Sequence, residues 1–484
     1  MNAAEISELK NKTTVSIIFL SLRNFGIQGI SIVGFFLLTI ILGRGDVGLF
    51  AIVAESVGIL GYFSDIGLAS ALIQQKDKPN DSELQTTFVI QQLLVIIALV
   101  VVAIIYPKIS IAKAYGSKEL WILISLCFSF AVASLKTIPS ILLERNLNFK
   151  LLSTIDIVEN TTFYFFAVLF AFLGYGVFSY AIATFIRSFL GLIVIYHYSP
   201  WPIGFSFSLP SAKKLFKYGI PFQFNSFIAV AKDRLSNLLV AGIIGRDSFG
   251  IISWAQKGPR IPLSFMDAIM RVTFPTFSRI QDQKEFLKKS IEKSIYFIAL
   301  FVFPTLAGIS AIALDIINII PKYSQWLPAI IPMYIFAVNA AIASVTTPLT
   351  NAFNAVGKIS ITTKLMIMWT ILTWIFYPLL SLKFGYMGTA AATLIVGSSS
   401  IVVWIVAKKV FLINVFQVIL HPFMATLLMS VAIWSINLIH FNSIINIVTK
   451  IIVGIVVYLA YCLYFSKNEI YWFLAQAKWL QQKK

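Results

Sequence analysis

The sequence predicts an all-α integral membrane protein of about 14 transmembrane helices, and three observations lead there. Fourteen hydrophobic stretches, most of them 18 to 30 residues long, follow one another from Thr13 to Ser466 with only short polar breaks. A hydrocarbon core of about 30 Å takes roughly 20 apolar residues per helix, and only helices or closed barrels satisfy their backbone in lipid. The runs are continuous rather than alternating, which selects helices. Composition agrees: 58% of residues are hydrophobic and 12% charged, with a mean hydropathy of +0.87, whereas about a quarter of a soluble domain is charged. Lastly, the net charge of +18 is unevenly placed. With the N-terminus in the cytoplasm, the loops on that side hold 22 Lys and Arg. The opposite loops hold 8: Arg44, Lys108, Lys113, Lys118, Arg246, Lys322, Lys383 and Lys450. That positive-inside bias places both termini in the cytoplasm and reads the basicity as topology, not as a nucleic-acid footprint.

Charge, Gly and Pro clusters set the breaks between elements. The first segment, 13–42, follows a short polar start with Glu5, Glu8, Lys10 and Lys12. It is too long for a signal-peptide core and is expected to be retained as a helix. Segments at 47–73, 83–106, 119–143, 152–172 and 176–197 follow, and then the longest connection, Tyr198 to Pro210, with its Ser199-Pro200-Trp201-Pro202. Beyond it lie 212–243, 248–276, 286–312, 325–354, 359–382 and 386–409, and a final pair at 414–438 and 444–466. Cys127 and Cys462 both fall inside apolar runs and read as small hydrophobes, not as a disulfide or zinc site.

An internal repeat divides the chain. Gly43-Arg44-Gly45-Asp46-Val47-Gly48 recurs as Gly245-Arg246-Asp247-Ser248-Phe249-Gly250 at an offset of 202 residues. Phe172-Leu173-Gly174-Tyr175-Gly176 recurs as Lys383-Phe384-Gly385-Tyr386-Met387-Gly388 at an offset of 211. The order is the same in each half. We therefore expect a six-helix lobe at 1–210, a second at 211–410, and an extra hairpin with a cytoplasmic tail at 411–484. Tandem lobes suit alternating access around a site near the midplane.

Charges left inside the apolar segments are the candidate functional residues. They are Arg23, Lys136, Arg187, Lys232, Arg234, Lys257, Arg260 and Arg271, with Glu55, Asp65, Asp156, Glu159, Asp233 and Asp267. Each costs about 2.5–3.5 kcal/mol at a helix centre on insertion scales, so each should face water or a partner. At 100 degrees per residue along 248–276, Lys257, Arg260, Ser264, Asp267 and Arg271 share a face about 80 degrees wide, and Pro259 and Pro262 inside it are expected to kink the helix and free a carbonyl or two for a cavity. Lys232, Asp233 and Arg234 are consecutive and must diverge, so Asp233 is expected to pair within the cluster. The seventh and eighth segments together carry an excess of cations, which fits an anion such as a diphosphate gripped by Arg and Lys.

The plainer readings stand beside these. Lys136, Arg187 and Arg271 lie near segment ends, where snorkelling to headgroups explains them. Asp156 and Glu159 fit a structural pair with Arg145 or Lys150 as well as a transport role. Glu55 and Asp65 share a face with Gly58 and Tyr62, where a carboxylate binds a coupling ion or neutralises an arginine. His197, His421 and His440 lie near segment ends and suggest no metal site. Ala355-Val356-Gly357-Lys358-Ile359-Ser360 lacks the first glycine and the hydroxyl of a phosphate-binding loop, so neither ATP hydrolysis nor a cofactor is expected. Tyr106, Trp121, Tyr198, Trp201, Tyr323, Trp326, Trp472 and Trp479 read as interface anchors. The tail from Ser466 reads as an amphipathic piece on anionic lipid.

Ordered segments carry a family resemblance. They are Phe63-Ser64-Asp65-Ile66-Gly67-Leu68-Ala69-Ser70-Ala71-Leu72-Ile73-Gln74, Leu142-Leu143-Glu144-Arg145-Asn146-Leu147-Asn148-Phe149-Lys150, and Leu235-Ser236-Asn237-Leu238-Leu239-Val240-Ala241-Gly242. Phe274-Pro275-Thr276-Phe277-Ser278-Arg279 and Asn351-Ala352-Phe353-Asn354-Ala355-Val356-Gly357-Lys358 complete the set. Together they resemble the Wzx-type polysaccharide flippases of the multidrug/oligosaccharidyl-lipid/polysaccharide exporter superfamily. The resemblance implies a V-shaped, two-lobed bundle in the plasma membrane that flips undecaprenyl-diphosphate-linked oligosaccharide to the outer leaflet, driven by an H+ or Na+ gradient. It implies membrane lipids and the polysaccharide polymerase and chain-length machinery as partners. In the related lipid II flippases, arginines of the first and eighth helices line a central cavity, to which Arg23 and Arg260 or Lys257 correspond by helix. The diphosphate-binding candidates are then Arg23, Lys232, Arg234, Lys257, Arg260 and Arg271, and the coupling candidates Glu55, Asp65, Asp233 and Asp267. Asn237 stands where many relatives carry a carboxylate. The rivals are a multidrug cation antiporter of the same superfamily and an integral-membrane enzyme such as a glycan polymerase.

Overall fold

A computed structural model describes residues 26–63, 67–75, 78–108, 117–146, 148–217, 230–437 and 443–465. Arg23, Asp65, His440 and the tail from Ser466, with Trp472 and Trp479, lie outside the described residues. What is described is helical, with no strand, and 11 helices are long and apolar enough to cross a membrane. The chain forms two compact units, Met1–Gly250 and Ile251–Lys484.

In the first unit α1 (Gly26–Ile41) and α2 (Arg44–Phe63) are followed by a short α3 (Leu68–Gln74). Then come α4 (Asp81–Ile105), α5 (Ser117–Leu135), α6 (Thr137–Arg145), α7 (Phe149–Phe172), α8 (Phe178–Tyr198) and α9 (209–217). Polar residues at the helix ends explain where these elements stop. Asn80 Oδ1 accepts from the Glu83 amide at 2.8 Å while the Glu83 carboxylate accepts from the Asn80 amide at 3.2 Å, a reciprocal cap that starts α4. The same carboxylate accepts from Gln75 at 3.1 Å and from Lys214 at 2.6 Å, tying three elements to one buried oxygen pair. Arg145 is not Glu159's partner. It donates to the carbonyls of Leu72, Ile73 and Gln75, the orphan acceptors at the end of α3. Trp201 is buried against Phe88, with ring centroids 5.2 Å apart, and packs into the core that Leu68, Leu72, Leu84, Ile138 and Leu215 form.

α10 (Ser236–Arg260) is broken at Gly245, where φ is 76°, and its last residues open the second unit, followed by α11 (Leu263–Arg279), α12 (Lys284–Ile319) and a 3-10 turn at Pro321–Ala329. α13 (Ile330–Ala355), α14 (Ile359–Ser398), α15 (Ile401–Phe411), α16 (Val415–Ile436) and α17 (Ser443–Phe465) complete it. Its core is built by Phe277, Ile291, Ile295, Leu349, Phe353 and Val403. α14 breaks at Gly385, where φ is 58°, the counterpart of the break at Gly174, where φ is 89°. The second repeat thus returns as a shared left-handed backbone, which glycine adopts without a Cβ penalty.

Three expectations for aromatic and charged residues are corrected. Tyr323 and Trp326 are buried, not interfacial: Trp254 stacks on Trp326 at 5.7 Å and donates to the Tyr323 hydroxyl at 3.1 Å. Trp201 is likewise internal, whereas Trp121 and Tyr198 are exposed as expected of anchors. Lys450 is no loop residue. It lies in α17, 3% exposed, and pairs at 2.5 Å with Asp315 of α12, whose other oxygen accepts from Asn446 at 3.2 Å.

Candidate functional site

The first unit gathers charge at two places. In one, a π-turn at Ala231–Leu235 precedes α10, and Lys232, Asp233 and Arg234 diverge along it as consecutive residues of a helix must. Lys232 and Asp233 pair with each other at 3.0 Å. Arg234 instead reaches α2, where it pairs with Glu55 at 3.1 Å, and Asn237 donates to the other Glu55 oxygen at 3.5 Å. Gly58, one turn on from Glu55, lies under the guanidinium in space a Cβ would fill. Both side chains are about a third exposed, so the pair contributes only ~0.2–1 kcal/mol and chiefly fixes position. The predicted binding residue Arg234 and the predicted coupling residue Glu55 are thereby brought together. Asp233 is satisfied by its neighbour.

At the second place Glu159 of α7 is buried between Lys136 at 2.5 Å and Arg187 at 3.8 Å, with Gly191 opening the space for its carboxylate. Arg187 also lies 5.7 Å over the Phe163 ring. Neither cation snorkels. Lys136 occupies the break between α5 and α6, which points its amine inward, and its side chain is 16% exposed.

The two repeat-related turns meet within this unit. A Cβ on Gly48 would strike the Arg246 carbonyl and the Gly250 amide, and a Cβ on Gly250 would strike the Arg44 carbonyl and the Gly48 amide. Gly48 and Gly250, like Arg44 and Arg246, are 202 residues apart, so the contact is reciprocal.

In the second unit the expected polar stripe is interrupted. α10 ends at Arg260, and Ile261 and Pro262 form a tight turn, with Ile261 N bonding Gly258 O at 3.1 Å and Phe265 N bonding Pro262 O at 3.2 Å. The 100-degree projection does not run across Pro262, because its ring removes the amide that would continue the helix. Lys257 and Arg260 therefore sit on one helix, and Asp267 and Arg271 on the next. Ser264 caps the break, donating to Ile261 O at 2.7 Å. Lys257 is half-buried, whereas Arg260, Asp267 and Arg271 are exposed. Asp267 lies in the field of both arginines, and among the described residues neither arginine makes an ion pair.

Three embedded acids escaped the sequence reading: Asp315, Glu119 and Glu83, the last being the first residue of its expected segment and 5% exposed. Asp315 falls past the expected end of its segment, but α12 runs on to Ile319. Glu119 stands at the first residue of an expected segment and so looked like a loop charge, but it is 6% exposed. Among the described residues no group of three metal-ligating side chains occurs.

A sequence profile of the family described as "Polysaccharide biosynthesis protein" matches residues 37–331. The chain is 24% identical over 388 residues to the teichuronic acid biosynthesis protein TuaB of Bacillus subtilis, covering 77% of this chain and 78% of that one. It is 25% identical over 378 residues to the lipopolysaccharide biosynthesis protein WzxC of Escherichia coli, covering 75% and 74%. Its fold is similar to that of the lipid II flippase MurJ in an inward closed conformation, with a TM-score of 0.75 at 17% identity over 94% of this chain and 100% of that one.

Proposed function

The chain belongs to the polysaccharide biosynthesis protein family, and from that premise we propose that it is a non-catalytic flippase. Its substrate is an undecaprenyl-diphosphate-linked oligosaccharide, the repeat unit of a surface polysaccharide, moved from the inner to the outer leaflet of the plasma membrane. The observation that carries this reading is the pair of exposed arginines, Arg260 and Arg271, on successive helices of a membrane protein, with no ion pair among the described residues to neutralise them. A lipid-linked sugar must take a diphosphate and a polar glycan past hydrocarbon while its polyprenyl tail stays in lipid. Charge-assisted contacts from Arg stabilise the diphosphate by about 1.5–3 kcal/mol each. Lys257 and Arg260 at the end of α10, with Arg271 on α11, form the anion site.

The repeat halves 1–210 and 211–410 act as the two moving lobes, and 411–484 supplies an accessory hairpin. Both termini face the cytoplasm, where the precursor is made, and the polymerase and chain-length machinery take over on the other side. An ion gradient drives the cycle.

Deleting the gene in its host should leave the lipid-linked intermediate on the cytoplasmic leaflet and reduce surface glycan. Unchanged glycan together with raised drug sensitivity would overturn this reading in favour of a cation antiporter. At matched protein levels, Arg260→Glu should lower export by at least ~10-fold, the equivalent of about 1.4 kcal/mol. Normal export would remove Arg260 from the site.

A further inference from the structure

Three glutamates of the first unit are buried: Glu83, Glu119 and Glu159. Glu83 has Lys214 and Glu159 has Lys136, but among the described residues Glu119 is met by no cation. Its Oε2 is buried without a hydrogen-bond partner among the described residues. The carboxyl lines a half-open cavity of about 210 Å³ among α2, α4 and α5, whose walls are otherwise mostly apolar, among them Ile52, Val57, Val101 and Ile105.

The groups facing this carboxyl are few. From the turn after α4 comes the Tyr106 phenol, and from α2 the Ser56 hydroxyl, whose proton is already given to Ile52 O at 2.9 Å. α4 contributes Val101, Val102 and Ile105. The neighbouring Lys118 lies in the field of Asp46, and Glu55 points away to Arg234. An ionised carboxylate here would bury one oxygen with no donor and meet no cation among the described residues, a cost of several kcal/mol that a bound proton removes. A metal cation is poorly served, since hard cations need a shell of several oxygens and the pocket offers three side-chain groups at most.

We propose that Glu119 is a proton-binding site, loaded in the conformation described and emptied when its cavity opens to water. Resting on the flippase reading, this proton is the coupling ion. Bound, it lets the apolar walls of α2, α4 and α5 close. Lost to water, it leaves a charge that opposes closure until the next proton arrives. The site is separate from the Glu55–Arg234 pair.

The test uses membrane vesicles containing the full-length chain, treated with dicyclohexylcarbodiimide, an apolar reagent that attacks protonated carboxyls, with adducts mapped by mass spectrometry. An adduct on Glu119 is expected, falling about tenfold per pH unit once the pH passes its titration midpoint. Sodium should not protect it. Absence of the adduct, or protection by sodium, would overturn the proton site while leaving the flippase reading untouched. In the host, Glu119→Gln at matched protein levels should lose most surface glycan export. A labelled wild-type Glu119 with normal export in E119Q would instead overturn the coupling role.

Discussion

Glu159 sits 23 residues after Lys136 and 28 before Arg187, and its carboxylate takes both. That such charges must be satisfied follows from the sequence alone, because an embedded ion without partner or water is prohibitively costly. Which ions pair does not follow. Arg145 and Lys150 were nearer in the chain, but Arg145 is spent on the carbonyls ending α3. Removing the shared acid leaves Lys136 buried and uncompensated. Glu159→Gln should therefore destabilise the protein by about 3 kcal/mol, read from its unfolding midpoint in detergent. Arg187→Gln, whose side chain is over a third exposed, should cost less than ~1 kcal/mol in the same assay. Equal losses would show that the cluster holds no hierarchy.

Helices were the most readable feature, and their interruptions less so. Runs such as 83–106 and 414–438 announce themselves by hydropathy, and the breaks at Gly174 and Gly385 by glycine. The break after Arg260 was read as a kink within one helix, because periodicity assumes a continuous axis that Pro262 ends. Pro304 shows the opposite outcome, a proline that α12 absorbs. It gives no amide to the Leu300 carbonyl one turn earlier, and the Tyr458 hydroxyl of α17 donates there instead at 2.6 Å. Tyr458→Phe should cost about 1–2 kcal/mol by leaving that carbonyl unpaired in an apolar setting. Adding Pro304→Ala restores an amide donor and should recover most of the loss. A double variant no more stable than Tyr458→Phe would refute this account of the contact.

For the whole molecule, charge along the chain speaks to orientation and says little of tertiary packing. Moving Lys450 from a loop into a buried pair with Asp315 lowers the cation count of the loops expected outside and sharpens the bias from which cytoplasmic termini are expected. With Cys127 and Cys462 replaced, a single cysteine at Arg279 should react with a membrane-impermeant thiol reagent only from the cytoplasmic face. One at Arg246 should react only from the other face. Reversed labelling would invert the topology and the direction of transport with it. The burial of Tyr323 and Trp326 was invisible beforehand, since amphipathic aromatics suit an interface and a core alike. So was the meeting of the two glycine turns, because a repeat tells that two pieces are alike and not that they touch. Their reciprocity has a consequence for inheritance. Gly48 and Gly250 face each other as equivalent residues do across a dimer's dyad, here within a single polypeptide. Once a methyl at either position has forced the turns apart, a methyl at the other meets space already vacated. G48A and G250A together should thus be less damaging than the sum of the two alone, and neither glycine is free to drift while its twin stays put.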